Sequence, residues 1–138
     1  MAYFDLDKLE DQIKTDEGFK AKPYHDSVGV LTIGYGTNLD QGITEDQASS
    51  LLMLELDSVI TELQKALPWV TDLSDVRQRV LYNMAYNLGV PSLLKFTDTL
   101  AMIKQGDYTG ASIYMLRSKW AGQVGDRAKR LSVAMKDG

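Results

Sequence analysis

Apolar residues along this chain follow two rhythms, and the switches between them divide it into parts. Phe4, Leu6, Leu9 and Ile13 recur at near-helical spacing, which predicts a short amphipathic helix from Asp5 to about Thr15. The helix should stop at Gly18, leaving Asp16 and Glu17 in its last turn. Acids are disfavoured there, because the C-terminal end of the helix dipole is negative. A carboxylate that breaks a local rule is a candidate for function.

The rhythm then changes. From Lys22 to Gly36 the strand formers Tyr24, Val28, Val30, Leu31, Ile33 and Tyr35 are punctuated by Pro23 and Gly29, with Asp26-Ser27 suited to a turn. This predicts a β-hairpin. Gly34 and Gly36 flank Tyr35 and permit close approach of backbone to a ligand or another strand. Thr37 to Gly42 reads as a polar loop.

Helical spacing returns at Thr44-Glu45-Asp46-Gln47, a capping box that opens a helix of roughly 20 residues running to Pro68. Only helices follow. Val76, Val80, Met84 and Leu88 recur at steps of four between Ser74 or Asp75 and Leu88, and Gly89 and Pro91 close that helix. Thr97–Gln105 (closed by Gly106), Tyr108–Lys119 and an Asp126-capped helix over Arg127–Met135 complete the pattern. The expected organisation is a single α+β domain over residues 1–138. It comprises an N-terminal lobe with the hairpin over about 1–43, a linking helix over 44–67 and a helical lobe over 68–138. Ligand sites favour the cleft between two such lobes.

Composition narrows the chemistry. The chain has 138 residues, 44% of them hydrophobic and 25% charged, enough for a core without covalent staples. It contains no cysteine, which excludes disulfides and thiol chemistry, and its single histidine, His25, argues against a histidine metal cage or a Ser–His triad. A net charge of −4 argues against nucleic acid and anionic membranes as partners. The charge is uneven: Arg117, Lys119, Arg127, Lys129, Arg130 and Lys136 cluster near the end, where they serve a polyanionic polymer or simply form a solvated face. No secretory signal and no run near the ~20 apolar residues of a membrane span is seen, so accumulation in the cytosol of the producing cell is expected.

Three residues of the hairpin region can do chemistry: Glu17 at the helix end, Asp26 at the turn and Thr32 on the returning strand. A helix end and an adjacent hairpin can bring the two carboxylates within a sugar's width. Glycoside hydrolysis needs such a pair, one acid to protonate the leaving oxygen and one carboxylate to activate water or stabilise the oxocarbenium-like centre. With 19 acids in the chain, a pair of ordinary surface carboxylates is the competing reading.

The stretch TDEGFKAKPYHDSVGVLTIGYGTNLDQGIT resembles the active-site segment of the phage lysozymes, glycoside hydrolase family 24. It has an E-G pair at the end of the first helix, an aspartate nine positions on, and a T-I-G-x-G strand. LYNMAYNLG, KFTDTL, GDRAKRL and Trp120 after Ser118-Lys119 extend the resemblance over nearly the whole chain. The resemblance implies a lysozyme-like fold and a cofactor-free, metal-free endolysin acting on bacterial peptidoglycan, with a monomer as the default for a polymer substrate. Glu17 would protonate the oxygen between N-acetylmuramic acid and N-acetylglucosamine, while Asp26 and the Thr32 hydroxyl hold the attacking water. Tyr86, Asn87 and Thr99 fall on cleft-lining, substrate-binding positions, and Arg127 on an arginine that faces the catalytic glutamate. The wall would be reached through membrane lesions made by a separate holin, without stable membrane insertion.

The chain departs from the family archetype in three ways. Thr37 replaces a histidine that makes a buried ion pair, the chain is shorter, and it is acidic where the archetype is basic. A lytic transglycosylase, and a non-catalytic peptidoglycan-binding or virion structural domain, are the alternatives. Other residues carry blander expectations. His25 should be solvated, Trp69 and Trp120 should be core aromatics, and Met53, Met84, Met102 and Met115 core filler. Lys129 and Arg130 should form a solvated helix face, whereas Tyr24 and Tyr35 suit a cleft or the sheet equally.

Overall fold

A computed structural model describes residues 3–138. The chain divides into two compact units, Met1–Ser49 and Ser50–Gly138.

In the first unit, helix α1 spans Leu6–Glu17. Its cap is Asp5, whose carboxylate accepts the Lys8 N–H at 3.0 Å. The helix stops because Gly18 turns out of it at φ 69°, donating its N–H to the Lys14 carbonyl. Strands β1 (Lys20–His25), β2 (Leu31–Gly34) and β3 (Thr37–Asn38) form one antiparallel sheet in sequence order. The predicted hairpin is β1–β2, with Tyr24 opposite Thr32 and His25 opposite Leu31. The register shifts between Lys20 and Tyr24. Pro23, which has no N–H to give a ladder, lies in that interval.

The predicted loop over Thr37–Gly42 is more ordered than its polarity implied. Thr37 and Asn38 pair with Ile33 and Thr32 as β3, and Leu39–Gln41 make one 3₁₀ turn. A two-residue strand is too short to show alternation, so no sequence pattern announced it.

Helix α2 covers Glu45–Ala66. The capping box forms in both directions: Gln47 N–H donates to Thr44 Oγ1 at 3.1 Å, and Thr44 N–H donates to Gln47 Oε1 at 2.9 Å. Pro68 opens a 3₁₀ turn, Pro68–Asp72, which the sequence reading left unassigned.

The second unit continues with α3 (Asp75–Leu88), α4 (Val90–Leu93), α5 (Thr97–Gln105), α6 (Tyr108–Arg117), α7 (Lys119–Val124) and α8 (Asp126–Asp137). Helix α3 ends at Leu88 with Gly89 as its cap, as expected, and Pro91 sits in the first turn of α4, where its missing N–H costs nothing. Two expectations are corrected here. The helix expected over Tyr108–Lys119 breaks at Ser118, whose hydroxyl accepts the Ala121 N–H at 3.2 Å and so starts α7. Asp126 is the first helical residue of α8 rather than its cap. Gly125, at φ 57°, takes the cap position without a side-chain bond.

Every buried hydrophobic residue among those described lies in this second unit. Val80, Leu81, Met84 and Ala85 form one face of α3 and meet Leu63, Leu93, Ile103, Met115 and Met135. Full burial of a side chain such as Leu81 contributes about 1.5–3 kcal/mol. Trp120 is a core aromatic, as expected, and Trp69 and Met102 pack against the core. Met53 is not core filler, being 59% exposed. It sits in the run Leu51-Leu52-Met53-Leu54, whose side chains point around most of a helical turn, so one buried face cannot take them all.

Arg77 ties three helices of this unit together. Its Nε donates to the Met135 carbonyl at 2.7 Å and one terminal nitrogen to the Lys136 carbonyl at 3.0 Å, satisfying the open end of α8. The guanidinium also lies 3.5 Å from the centroid of the Tyr108 ring on α6.

Candidate active site

Glu17 is the last residue of α1, and its exposed carboxylate lies against the turn between β2 and β3. The contact is with Gly36. A Cβ at that position would stand 2.7 Å from Glu17 Oε2 and 2.9 Å from Cδ, closer than such atoms approach. Gly36 also holds φ at 84°, a backbone region that favours glycine. The second glycine of T-I-G-x-G therefore makes room for the carboxylate as well as turning the chain.

The residue between the two glycines fastens the same turn to α1. Tyr35 packs on Phe19 with ring centroids 5.6 Å apart, and Lys14 Nζ stands 5.5 Å from the Tyr35 centroid. Lys14 is also paired with Glu10 at 2.9 Å. The hydrogen bond and charge of Glu10 raise its pKa above the usual lysine value. Thr37, where the family archetype has histidine, opens β3 opposite Ile33 and carries no charge for an ion pair.

Asp26 has a structural duty that the sequence reading did not separate from chemistry. Its Oδ1 accepts two backbone N–H groups, from Val28 at 3.0 Å and Val30 at 2.8 Å, and so builds the turn between β1 and β2. Among the described residues its second oxygen, Oδ2, has no hydrogen-bond partner. Thr32 faces Tyr24 across the hairpin, and Asp26 lies two residues beyond Tyr24, so Asp26 and Thr32 share a face. Thr32 is the one buried residue among 3–49, at 4% exposure. Its hydroxyl donates to the Val30 carbonyl at 2.9 Å, which commits its proton and leaves lone pairs as acceptors. His25 is exposed at the end of β1, as expected.

The four substrate-binding candidates all lie in the second unit. Thr99 is buried in the first turn of α5 and lines a cavity of about 380 Å³ with Phe96, Asp98, Tyr114, Lys119 and Trp120. Its hydroxyl has no hydrogen-bond partner among the described residues. Asn87 borders that cavity indirectly, accepting the Trp120 indole N–H at 2.8 Å. Tyr86 and Arg127 do not line it. Arg127 is instead held by Asn83, whose Oδ1 accepts Nε at 3.0 Å and a terminal nitrogen at 2.8 Å. Tyr86 donates its hydroxyl to Glu55 Oε2 at 3.0 Å. Glu55 raises the Tyr86 pKa above its usual value, and Arg127 acts in the opposite direction.

Sequence reasoning assigned no role to Asn83 or Glu55, and read Gly36 only as permitting close approach of backbone to a ligand or strand. Asn83 stood in the quoted LYNMAYNLG segment and Gly36 in T-I-G-x-G, so both were visible as pattern. Glu55 sits 31 residues from its partner, and no local signal joins them. Among the described residues no cluster of three or more His, Asp or Glu side chains is placed to hold a metal ion.

A family model described as "Phage lysozyme" matches residues 14–133. The chain belongs to the phage lysozyme family. Helices with one small antiparallel sheet are accordingly its lysozyme-like α+β fold. A SAR-endolysin of Bacteriophage PS119 is 34% identical over 77% of this chain and 65% of its own length, so the chain spans just under two thirds of that relative. Probable T4-type lysozyme 1 of Dictyostelium discoideum is 26% identical over 96% of both chains. The pre-baseplate central spike protein Gp5 of Enterobacteria phage T4 is 25% identical over 94% of this chain but only 28% of the spike protein.

Proposed function

We propose that the chain is an endolysin muramidase that hydrolyses the β-1,4 bond between N-acetylmuramic acid and N-acetylglucosamine in bacterial peptidoglycan. The observation that carries this reading is the placement of Glu17 against Gly36 in a chain of the phage lysozyme family. Glu17 is the general acid: exposed and seated on the β2–β3 turn, it delivers a proton to the leaving oxygen.

Asp26 and Thr32 position the nucleophile. The water donates one proton toward Asp26 Oδ2 and the other toward the Thr32 oxygen, which is acceptor-only because its own proton is spent on Val30. The water's lone pair is then directed at the anomeric carbon. Attack opposite the leaving group inverts that carbon, the proton passes to Asp26 and the leaving sugar takes the proton of Glu17. In the second unit Thr99, with its unused hydroxyl, and Asn87 bind acetamido or hydroxyl groups of the glycan, Tyr86 offers a ring to a sugar face, and Arg127 contributes positive charge.

Digestion of purified peptidoglycan, with mass spectrometry of the released fragments, tests the proposal. Reducing muramic-acid ends, lost in Glu17→Gln, are expected. Anhydro ends would mark a lytic transglycosylase. Binding without release by the wild type would favour a virion structural domain, a reading that the match to part of the spike protein keeps in play. The route to the wall belongs to the same proposal: expression in a bacterial host should cause lysis only when a holin is co-expressed.

A further inference from the structure

Asn83, Tyr86 and Asn87 stand at i, i+3 and i+4 on α3 and so share one face of that helix. Each is tied to a different element of the second unit: Asn83 to Arg127 of α8, Asn87 to Trp120 of α7, and Tyr86 to Glu55 of α2. The bonds do different work. Asn87 satisfies the indole N–H of a tryptophan that is 3% exposed, so its bond serves the core. Glu55 and Tyr86 are both exposed, and water would satisfy either group in the other's absence. Their bond at 3.0 Å therefore adds little to stability. What it does is fix the torsions of a large aromatic residue that is 41% exposed.

We propose that Glu55 is a positioning residue that holds the Tyr86 ring in one orientation, ready to receive the apolar face of a glycan sugar. This rests on the muramidase reading. A free tyrosine must lose rotamer freedom when a sugar stacks on it, and a ring already tethered does not. Glu55 Oε2 accepts the Tyr86 hydroxyl, so the carboxylate acts on the sugar through the ring it holds. Arg127, held by Asn83 one turn away, acts on Tyr86 in the direction opposite to Glu55.

The test measures kcat and KM on soluble peptidoglycan fragments for wild type, Glu55→Ala, Glu55→Gln, Tyr86→Phe and the Glu55→Ala/Tyr86→Phe double variant. Thermal melts of each are recorded alongside. Glu55→Ala is expected to raise KM about 3- to 10-fold with kcat and Tm essentially unchanged. Glu55→Gln should rescue KM, because the amide oxygen still accepts the hydroxyl. In the Tyr86→Phe background, Glu55→Ala should add nothing. A KM indifferent to Glu55 in an active wild type, or Glu55 and Tyr86 effects that simply multiply, overturns the proposal alone. Absence of hydrolysis by the wild type overturns the muramidase reading and this proposal with it.

Discussion

Replacing Gly36 by alanine separates what the β2–β3 turn does for the fold from what it does for Glu17. The added methyl meets two problems. At φ 84° a residue with a Cβ is strained, which costs about 1–3 kcal/mol. The alanine also restricts the unfolded chain, which offsets about 0.4–1 kcal/mol of that. The second problem is contact: the methyl would stand 2.7 Å from Glu17 Oε2. A carboxylate at the end of a flexible side chain yields cheaply, so this clash adds little to the loss of stability. It does displace the proposed acid by roughly an ångström, and a misplacement of that size costs on the order of 100-fold in rate.

Gly34→Ala is the control. Gly34 has a similar φ of 68°, but nothing lies within 4 Å of its added methyl. Both variants should therefore lose a similar 1–2 kcal/mol or so in urea unfolding, while only Gly36→Ala loses most of its peptidoglycan hydrolysis. Equal residual activities in two equally destabilised variants would refute the reasoning, because strain alone would then explain both.

Three further outcomes follow from other contacts. Asp26→Asn keeps an oxygen to accept the Val28 and Val30 N–H groups, so stability should stay within about 0.5 kcal/mol while hydrolysis falls on the order of 100-fold or more. Asp26→Ala should lose the same activity and about 1–2 kcal/mol besides, read by parallel melts and digestions. Arg77→Ala should destabilise by about 1–3 kcal/mol, and Arg77→Lys should recover little, since an ammonium cannot span two carbonyls and lie flat on Tyr108; denaturant midpoints decide. Tyr86, whose pKa is raised above 10.0 chiefly by its bond to Glu55, should titrate closer to that value in Glu55→Gln, followed by NMR of the labelled ring. Its folded form holds the proton more tightly than the unfolded chain, so any stability it adds is present below pH 10.0 and lost as pH rises through the folded value.

What was legible in the sequence was whatever is encoded locally. The capping box at Thr44 and Gln47, the stop at Gly18 and the core face of α3 depend on residues within one or two turns of each other, and each formed where its pattern stood. The break at Ser118 was missed because its neighbours keep a helical period on both sides, and a capping serine is also a tolerable helix residue. Strand β3 was missed because its two residues gain their order only from partners on β2. The hairpin placed Asp26 and Thr32 on one face, and Asp26-Ser27 read as a turn, yet the sequence did not show that one Asp26 oxygen takes both turn N–H groups and leaves the other free. The tie between Glu55 and Tyr86 was beyond reach, since a single bond between distant helices leaves no periodic trace.

The two units divide stability and chemistry unequally. All the buried hydrophobic residues described belong to Ser50–Gly138, whereas the residues proposed for acid and water activation belong to Met1–Ser49, where Thr32 is the one buried residue among those described. Glu17 and Asp26 are therefore not positioned by dense packing. They are positioned by a helix stop, an aspartate turn and a glycine contact, each a matter of one to three backbone groups. Substitutions in those turns should cost much more in rate than in stability, and substitutions such as Met84→Ala in the core of the second unit should do the reverse, losing about 2–5 kcal/mol while surviving molecules keep their turnover. A scan that ranked both sets by activity per folded molecule would separate them. If it did not, the positioning of the proposed acid would have to come from somewhere other than the turns that touch it.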